Sequence, residues 1–334
     1  MGMKRIIIAG AVFSFTNISF AMADIKVVTS IKPVHSLVSG VMMGVEVPSL
    51  IIDGSGSPHT YSLKPSQAQQ LQDAKLVFWV GDELETFLEG PIENIAQNAT
   101  AIKLIDAHGL KKIKFREGGM FDDHGHDDHD EHDHEKHDDH DDEKHAKKEH
   151  DDHEDHDGHD DHGHGEFDPH VWLDPVNAKA IVHEIEEALV KADPEHASTY
   201  EANAHKMMDK IDSLTAELRE ELEPVHEKGF IVFHDAYQYF EQSFGISASG
   251  AISLGDASDP SPARLAEIRK RVVDESVECV LAEPQYNQGL VKAVVEGTNA
   301  NTAVIDPLGV KLETGPNLYE NLIRNLATNL AKCF

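Results

Sequence analysis

The chain has 334 residues, with 61 acidic against 29 basic side chains and a formal charge of −32. An acidic balance of that size excludes a nucleic-acid partner, because there is no basic stripe to replace phosphate counterions. Hydrophobic residues make up 40% of the chain, which excludes global disorder, and the length fits one large or two ordinary domains.

Residues 1–23 read as a secretory signal peptide. Lys4 and Arg5 form a positive n-region, and Ile6–Phe15 supply a short apolar stretch. Ala21-Met22-Ala23 then sets small residues before a cleavage point at Ala23/Asp24. The apolar run is shorter than the ~20 residues a spanning helix needs. No cysteine stands at the cleavage point to take a lipid. A soluble, exported protein is expected.

Beyond Asp24, short β-rich runs alternate with amphipathic stretches. Ile25–Thr29, Val47–Ile52 and Leu76–Val80 read as strands, with helices over Val34–Met43 and Pro65–Asp73. Pro65 suits a helix start, where its missing N–H would be unsatisfied anyway. Such alternation implies a parallel sheet with helical crossovers.

Composition changes abruptly at Glu117. The window Glu117–Phe167 carries 23 acidic residues and four lysines, −19 of the total charge, with fourteen of the 23 histidines. A segment of this kind, about 118–167, cannot bury enough surface to offset chain entropy and is expected to be disordered. A solvated spacer does not require fourteen histidines. Repeats such as His124-Gly125-His126, His132-Asp133-His134 and His162-Gly163-His164 point instead to multiple weak, fast-exchanging Zn²⁺ sites.

Val171–Leu173 follows, then a helix over Val176–Lys191. Pro194 to Leu222 reads as one long helix, its apolar stripe running through Met207, Ile211, Leu214, Leu218 and Leu222 until Pro224 ends it. The alternation then restarts. Phe230–Phe233, Ser247–Ile252, Val277–Ala282 and Thr302–Ile305 read as strands, Leu265–Glu275 and Leu318–Lys332 as helices. The expected fold is α/β, two parallel-sheet lobes joined by one long rigid helix. An N-terminal lobe over 24–193, including the acidic segment, leads through a connecting helix (194–222) to a C-terminal lobe over 223–334. Cys279 and Cys333, an even count in an exported chain, are expected to form a disulfide.

In open parallel sheets, ligands bind beyond the carboxyl ends of strands or between domains. Four metal-binding side chains fall at such places: His59 in Ser57-Pro58-His59-Thr60-Tyr61, His170 in Asp168-Pro169-His170-Val171-Trp172, His234 in Phe233-His234-Asp235, and Asp306 in Ile305-Asp306-Pro307-Leu308-Gly309. Three imidazoles and one oxygen suit tetrahedral Zn²⁺. Taken singly, each histidine is more often a surface or hydrogen-bonded residue, and an Asp before proline often only caps a turn. Spacing alone does not assemble four positions so far apart.

The motifs Ser-Pro-His-Thr-Tyr, Asp-Pro-His-x-Trp-Leu-Asp-Pro, Phe-His-Asp-Ala-Tyr-x-Tyr-Phe and Asp-Pro-Leu-Gly occur in this order. Together they resemble the cluster A-I (cluster 9) substrate-binding proteins of metal ABC importers, specifically the zinc type. The likeness spans nearly the whole exported chain, including the long helix, Ala282-Glu283-Pro284-Gln285 and the two cysteines. It implies zinc in the interlobe cleft, held by His59 and His170 from the N-terminal lobe and His234 from the C-terminal lobe. It further implies a monomer in the periplasm that hands zinc to a membrane permease and catalyses nothing. Manganese members usually carry glutamate where this chain has His234, and imidazole favours zinc. Some zinc members have an acidic residue just before the first histidine, where this chain has Pro58. Asp306 or a water would fill the position left open, Asp306 being the favoured candidate. Asp168 and Asp235 are candidate acceptors for a ligand imidazole. Two other functions compete. A secreted zinc hydrolase would use a three-histidine site to activate water, but no H-E-x-x-H pattern is present. A periplasmic zinc buffer would have the histidine-rich segment as its main part.

Overall fold

The computed structural model describes residues 25–116, 121, 165–253 and 260–334. The expected signal peptide and all but the margins of the histidine-rich segment lie outside the described residues.

The first sheet is built from β1 (Val27–Thr29), β2 (Ser49–Leu50), β3 (Leu76–Trp79) and β4 (Thr100–Lys103), in the order β2-β1-β3-β4 and parallel throughout. The helices α1 (Lys32–Val41), α2 (Pro65–Asp73) and α3 (Thr86–Asn94) make the crossovers. β1 and β3 are buried along their whole length, as the continuous apolar runs of a covered parallel sheet should be. β2 is shorter than the expected Val47–Ile52. As an edge strand it ladders on one side only, although Ile51 and Ile52 still donate to the carbonyls of Thr29 and Ser30.

Two helices follow, α4 (Pro175–Ala192) and α5 (Ala197–Leu222). α4 begins where Asp174 accepts a 2.7 Å bond from the Val176 amide and Pro175 needs none. The expected long helix is α5, preceded by a 3₁₀ turn over Pro194–His196; Tyr200, Ala204, Ile211, Leu214, Leu218 and Leu222 form its buried stripe. It joins the two lobes.

The second sheet repeats the winding of the first. β5 (Phe230–Val232), β6 (Gly250–Ala251), β7 (Cys279–Ala282) and β8 (Asn301–Val304) run parallel in the order β6-β5-β7-β8. The helices here are α6 (Gln238–Phe244), α7 (Pro262–Asp274), α8 (Gln288–Val295) and α9 (Leu318–Ala331). α9 turns back onto α5 and α1. Cys333, just past its end, forms a disulfide with Cys279 at the start of β7, the Cα atoms 5.7 Å apart. On the chain-entropy view, closing that loop stabilises the fold by roughly 3–5 kcal/mol.

In each sheet the chain leaves the first strand toward one side and returns to pair on the other, so a crevice opens beyond the carboxyl ends of the two central strands. In the first lobe this place is filled by Glu85, which is fully buried. Its Oε2 accepts bonds of 3.0 and 2.9 Å from the amides of Val80 and Gly81. Burial pushes its carboxyl up to about 7, against the opposing pull of Ser30 and those amides. In the second lobe the equivalent crevice, between β5 and β7, holds His234 and Glu283.

Candidate metal centre

His59, His170 and His234 converge. One nitrogen from each lies within 4.8 Å of the other two, the only such group among the described residues. The Nε2 atoms of His59 and His170 are 3.3 Å apart. That separation equals the edge of a tetrahedron whose ligands sit about 2.0–2.1 Å from a central zinc, which gives about 3.3–3.4 Å. The donor set therefore fits Zn²⁺ in chemistry, and the His59–His170 pair fits it in spacing.

Each imidazole is delivered by a different piece of chain. His59 stands in the loop between β2 and α2. That loop is pinned where Gln67 Nε2 donates to the Tyr61 hydroxyl (2.9 Å) and the Tyr61 ring packs on Phe87. His170 follows an isolated antiparallel bridge between Lys114 and Phe167 and precedes a 3₁₀ turn over Val171–Leu173. His234 lies two residues beyond β5.

Two of the rings are oriented by carboxylates. Asp168 Oδ1 receives His170 Nδ1 at 2.7 Å and the His170 amide at 3.0 Å. Glu283 Oε1 receives His234 Nδ1 at 2.7 Å. A proton held on each Nδ1 leaves the Nε2 lone pair for a metal, and the carboxylate makes the ring a better donor. His170, His234, Asp168 and Glu283 are all buried, while His59 is half-buried and so stands on the solvent side. Pro58, Trp172, Tyr286, Pro307 and Leu308 form apolar walls around the group. The Trp172 ring lies 5.4 Å from that of His170, and its indole N–H donates to the Pro307 carbonyl (2.9 Å), linking the lobes beside the site.

Asp306, expected as a fourth ligand, is not brought into this group. Its carboxylate organises the loop after β8: Oδ1 accepts from the amides of Leu308 (3.1 Å) and Gly309 (3.0 Å) and from Gln285 Nε2 (2.9 Å), and Oδ2 from the Val310 amide (2.6 Å). This is the turn-capping alternative noted for an Asp before proline. Of the two candidate acceptors, Asp168 bonds one of the three imidazoles, that of His170. Asp235 does not: it pairs with Arg116, which also grips Glu241 at 2.8 and 3.0 Å, and burial raises its carboxyl against Arg116's opposing charge. Glu283, the acceptor for His234, was missed. Its sequence signals are its place in Ala282-Glu283-Pro284-Gln285 and directly after a strand, one that pairs in the structure with the strand ending before His234.

The geometry can be set beside known proteins. The family profile described as "Zinc-uptake complex component A periplasmic" matches residues 27–333. The chain is 51% identical over 319 residues to the high-affinity zinc uptake system protein ZnuA of Brucella abortus, covering 96% of this chain and 94% of that one. It is 44% identical to the protein of the same name from Paracoccus denitrificans, over 92% and 91% of the two chains. Among solved structures, a crystal structure of ZnuA superposes with a TM-score of 0.72 at 20% identity, covering 93% of this chain and 99% of that one. A manganese-bound periplasmic metal-binding protein from Candidatus Liberibacter asiaticus gives 0.68 at 19% identity, covering 92% and 98%. At these identities the two structures speak for the fold.

Proposed function

The chain belongs to the family of periplasmic zinc-uptake complex component A proteins, and from that premise we propose that it captures zinc outside the cytoplasmic membrane and delivers it to an ABC-type permease. The observation that carries this reading is the group of three imidazole nitrogens, one from each of three separate loops and drawn from both lobes. Zinc is cargo here. His59, His170 and His234 hold it, Asp168 and Glu283 fix two of the rings, and a water completes the tetrahedron while Asp306 holds the loop alongside. No helix among the described residues is long and apolar enough to cross a membrane. The protein acts as a monomer released by cleavage after Ala23. Segment 118–167 adds weak zinc sites; its −18 charge attracts divalent cations and is screened by salt. The competing hydrolase and buffer readings find no support among the relatives, which are named for zinc uptake.

The test is a competition titration with a zinc chelator, paired with zinc-dependent growth of cells lacking the chain. Tight binding of one zinc equivalent together with restored growth supports the reading. Tight binding without any effect on uptake would leave a buffer and refute it.

A further inference from the structure

We propose that Gln238 is a positioning residue for zinc capture, one that ties the imidazole of His170 in the N-terminal lobe to the helix that follows His234 in the C-terminal lobe. The inference rests on the reading that these histidines hold zinc.

Asp168 is fully buried and its two carboxylate oxygens face different lobes. Oδ1 receives His170, from the ring at 2.7 Å and from the amide at 3.0 Å. Oδ2 receives Gln238 Nε2 at 3.1 Å. Gln238, itself buried, is the first residue of α6, four positions after His234. Its next neighbour, Tyr239, donates its hydroxyl to the Asp168 carbonyl (2.9 Å). One short piece of the C-terminal lobe therefore carries one ligand and grips the support of another.

The chemistry requires an amide at this position. Gln238 Nε2 faces two acceptors, Asp168 Oδ2 and the Lys114 carbonyl at 3.4 Å, and uses both its hydrogens. A glutamate has no such donors when ionised and would set a second negative charge against Asp168. With Gln238 in place, the carboxylate has a donor on each oxygen and one fixed orientation. Without it, a buried oxygen loses its partner and the carboxylate is free to turn away from His170. Movement of α6 with its lobe thus weakens a ligand on the opposite lobe, and the two halves of the site release zinc together.

The experiment is chelator competition for the tightest zinc equivalent on the full chain, comparing native protein with Gln238→Leu, Gln238→Glu, Asp168→Asn and the Gln238→Leu/Asp168→Asn double variant. Supporting partners of metal ligands typically contribute roughly 10–100-fold in affinity. Gln238→Leu and Gln238→Glu should each lose that much. In the Asp168→Asn background Gln238→Leu should lose no more than about twofold, because its route to the metal is already cut. Equal losses in both backgrounds, or no loss in either, would overturn the proposal. An independent readout is the proton on His170 Nδ1, followed by NMR in the zinc-loaded protein. Gln238→Leu should shift or broaden it and leave that of His234 unchanged. An unshifted His170 signal would overturn the proposal even if the Asp168 variants fail to fold. If native protein itself takes no tight zinc, the functional reading fails. If native binds and Gln238→Leu binds equally, only this inference fails.

Discussion

Glu85→Gln should remove a pH dependence that the fold carries at the crevice of its first sheet. The carboxyl is fully buried, receives two backbone amides on Oε2, and titrates at about 7 where an ordinary glutamate titrates at 4.5. Between those values the folded chain keeps a proton that the unfolded chain has lost. Stability is therefore fully present below 4.5 and falls as pH rises through about 7. At 1.36 kcal/mol per pKa unit the whole effect is about 3 kcal/mol, an upper figure for a site that can relax. Glutamine copies the protonated acid: its oxygen accepts the same two amides and no charge is ever buried. The assay is urea unfolding of zinc-free native and Glu85→Gln proteins at pH 5, 6, 7 and 8. Other carboxylates cancel in the difference. The advantage of Glu85→Gln over native should grow by about 2–3 kcal/mol from pH 5 to 8. A difference that stays flat across that range would refute the reasoning.

Other expectations concern the metal centre. Replacing His234 by alanine in protein lacking segment 118–167 should weaken zinc binding by more than the roughly 10–100-fold that a supporting residue contributes, with unfolding little changed; chelator competition checks this. Glu283→Gln keeps an acceptor for His234 but removes its charge, and should fall within that 10–100-fold range in the same titration. Asp306→Asn should cost zinc affinity less than the loss of any histidine, and should instead lower stability by about 1–2 kcal/mol by weakening the bonds that hold the Leu308–Val310 amides. Deleting 118–167 should remove the weak zinc equivalents seen by calorimetry and leave the tight one. Acid should empty those weak equivalents first, because exposed imidazoles protonate near about 6.5.

Much of this architecture was legible in the sequence, for identifiable reasons. Central strands such as Leu76–Trp79 are unbroken apolar runs, and the long helix shows its stripe from Ile211 to Leu222. β4, with the sequence Thr-Ala-Ile-Lys, was not read because an edge strand with two exposed residues needs no apolar run. α3 was masked by Gly90 and an internal Pro91, and α6 is seven residues long, too short to show a helical period. At the site, each histidine was visible through its motif, but the pairing of His234 with Glu283 was not. It arises from β5 and β7 lying side by side although 49 residues separate the two groups. Asp306 is the opposite case. Its residue type and its place after a strand suit a ligand, yet the three amides that follow it bind its carboxylate first.

The most direct test of zinc capture is a crystal structure of the zinc-loaded chain with anomalous data at the zinc edge. The expected result is one strong peak about 2.0–2.1 Å from Nε2 of His59, His170 and His234, with Asp168 and Glu283 still bonded to the two Nδ1 atoms. A peak that leaves out any of the three histidines, or one centred on other residues, would contradict it.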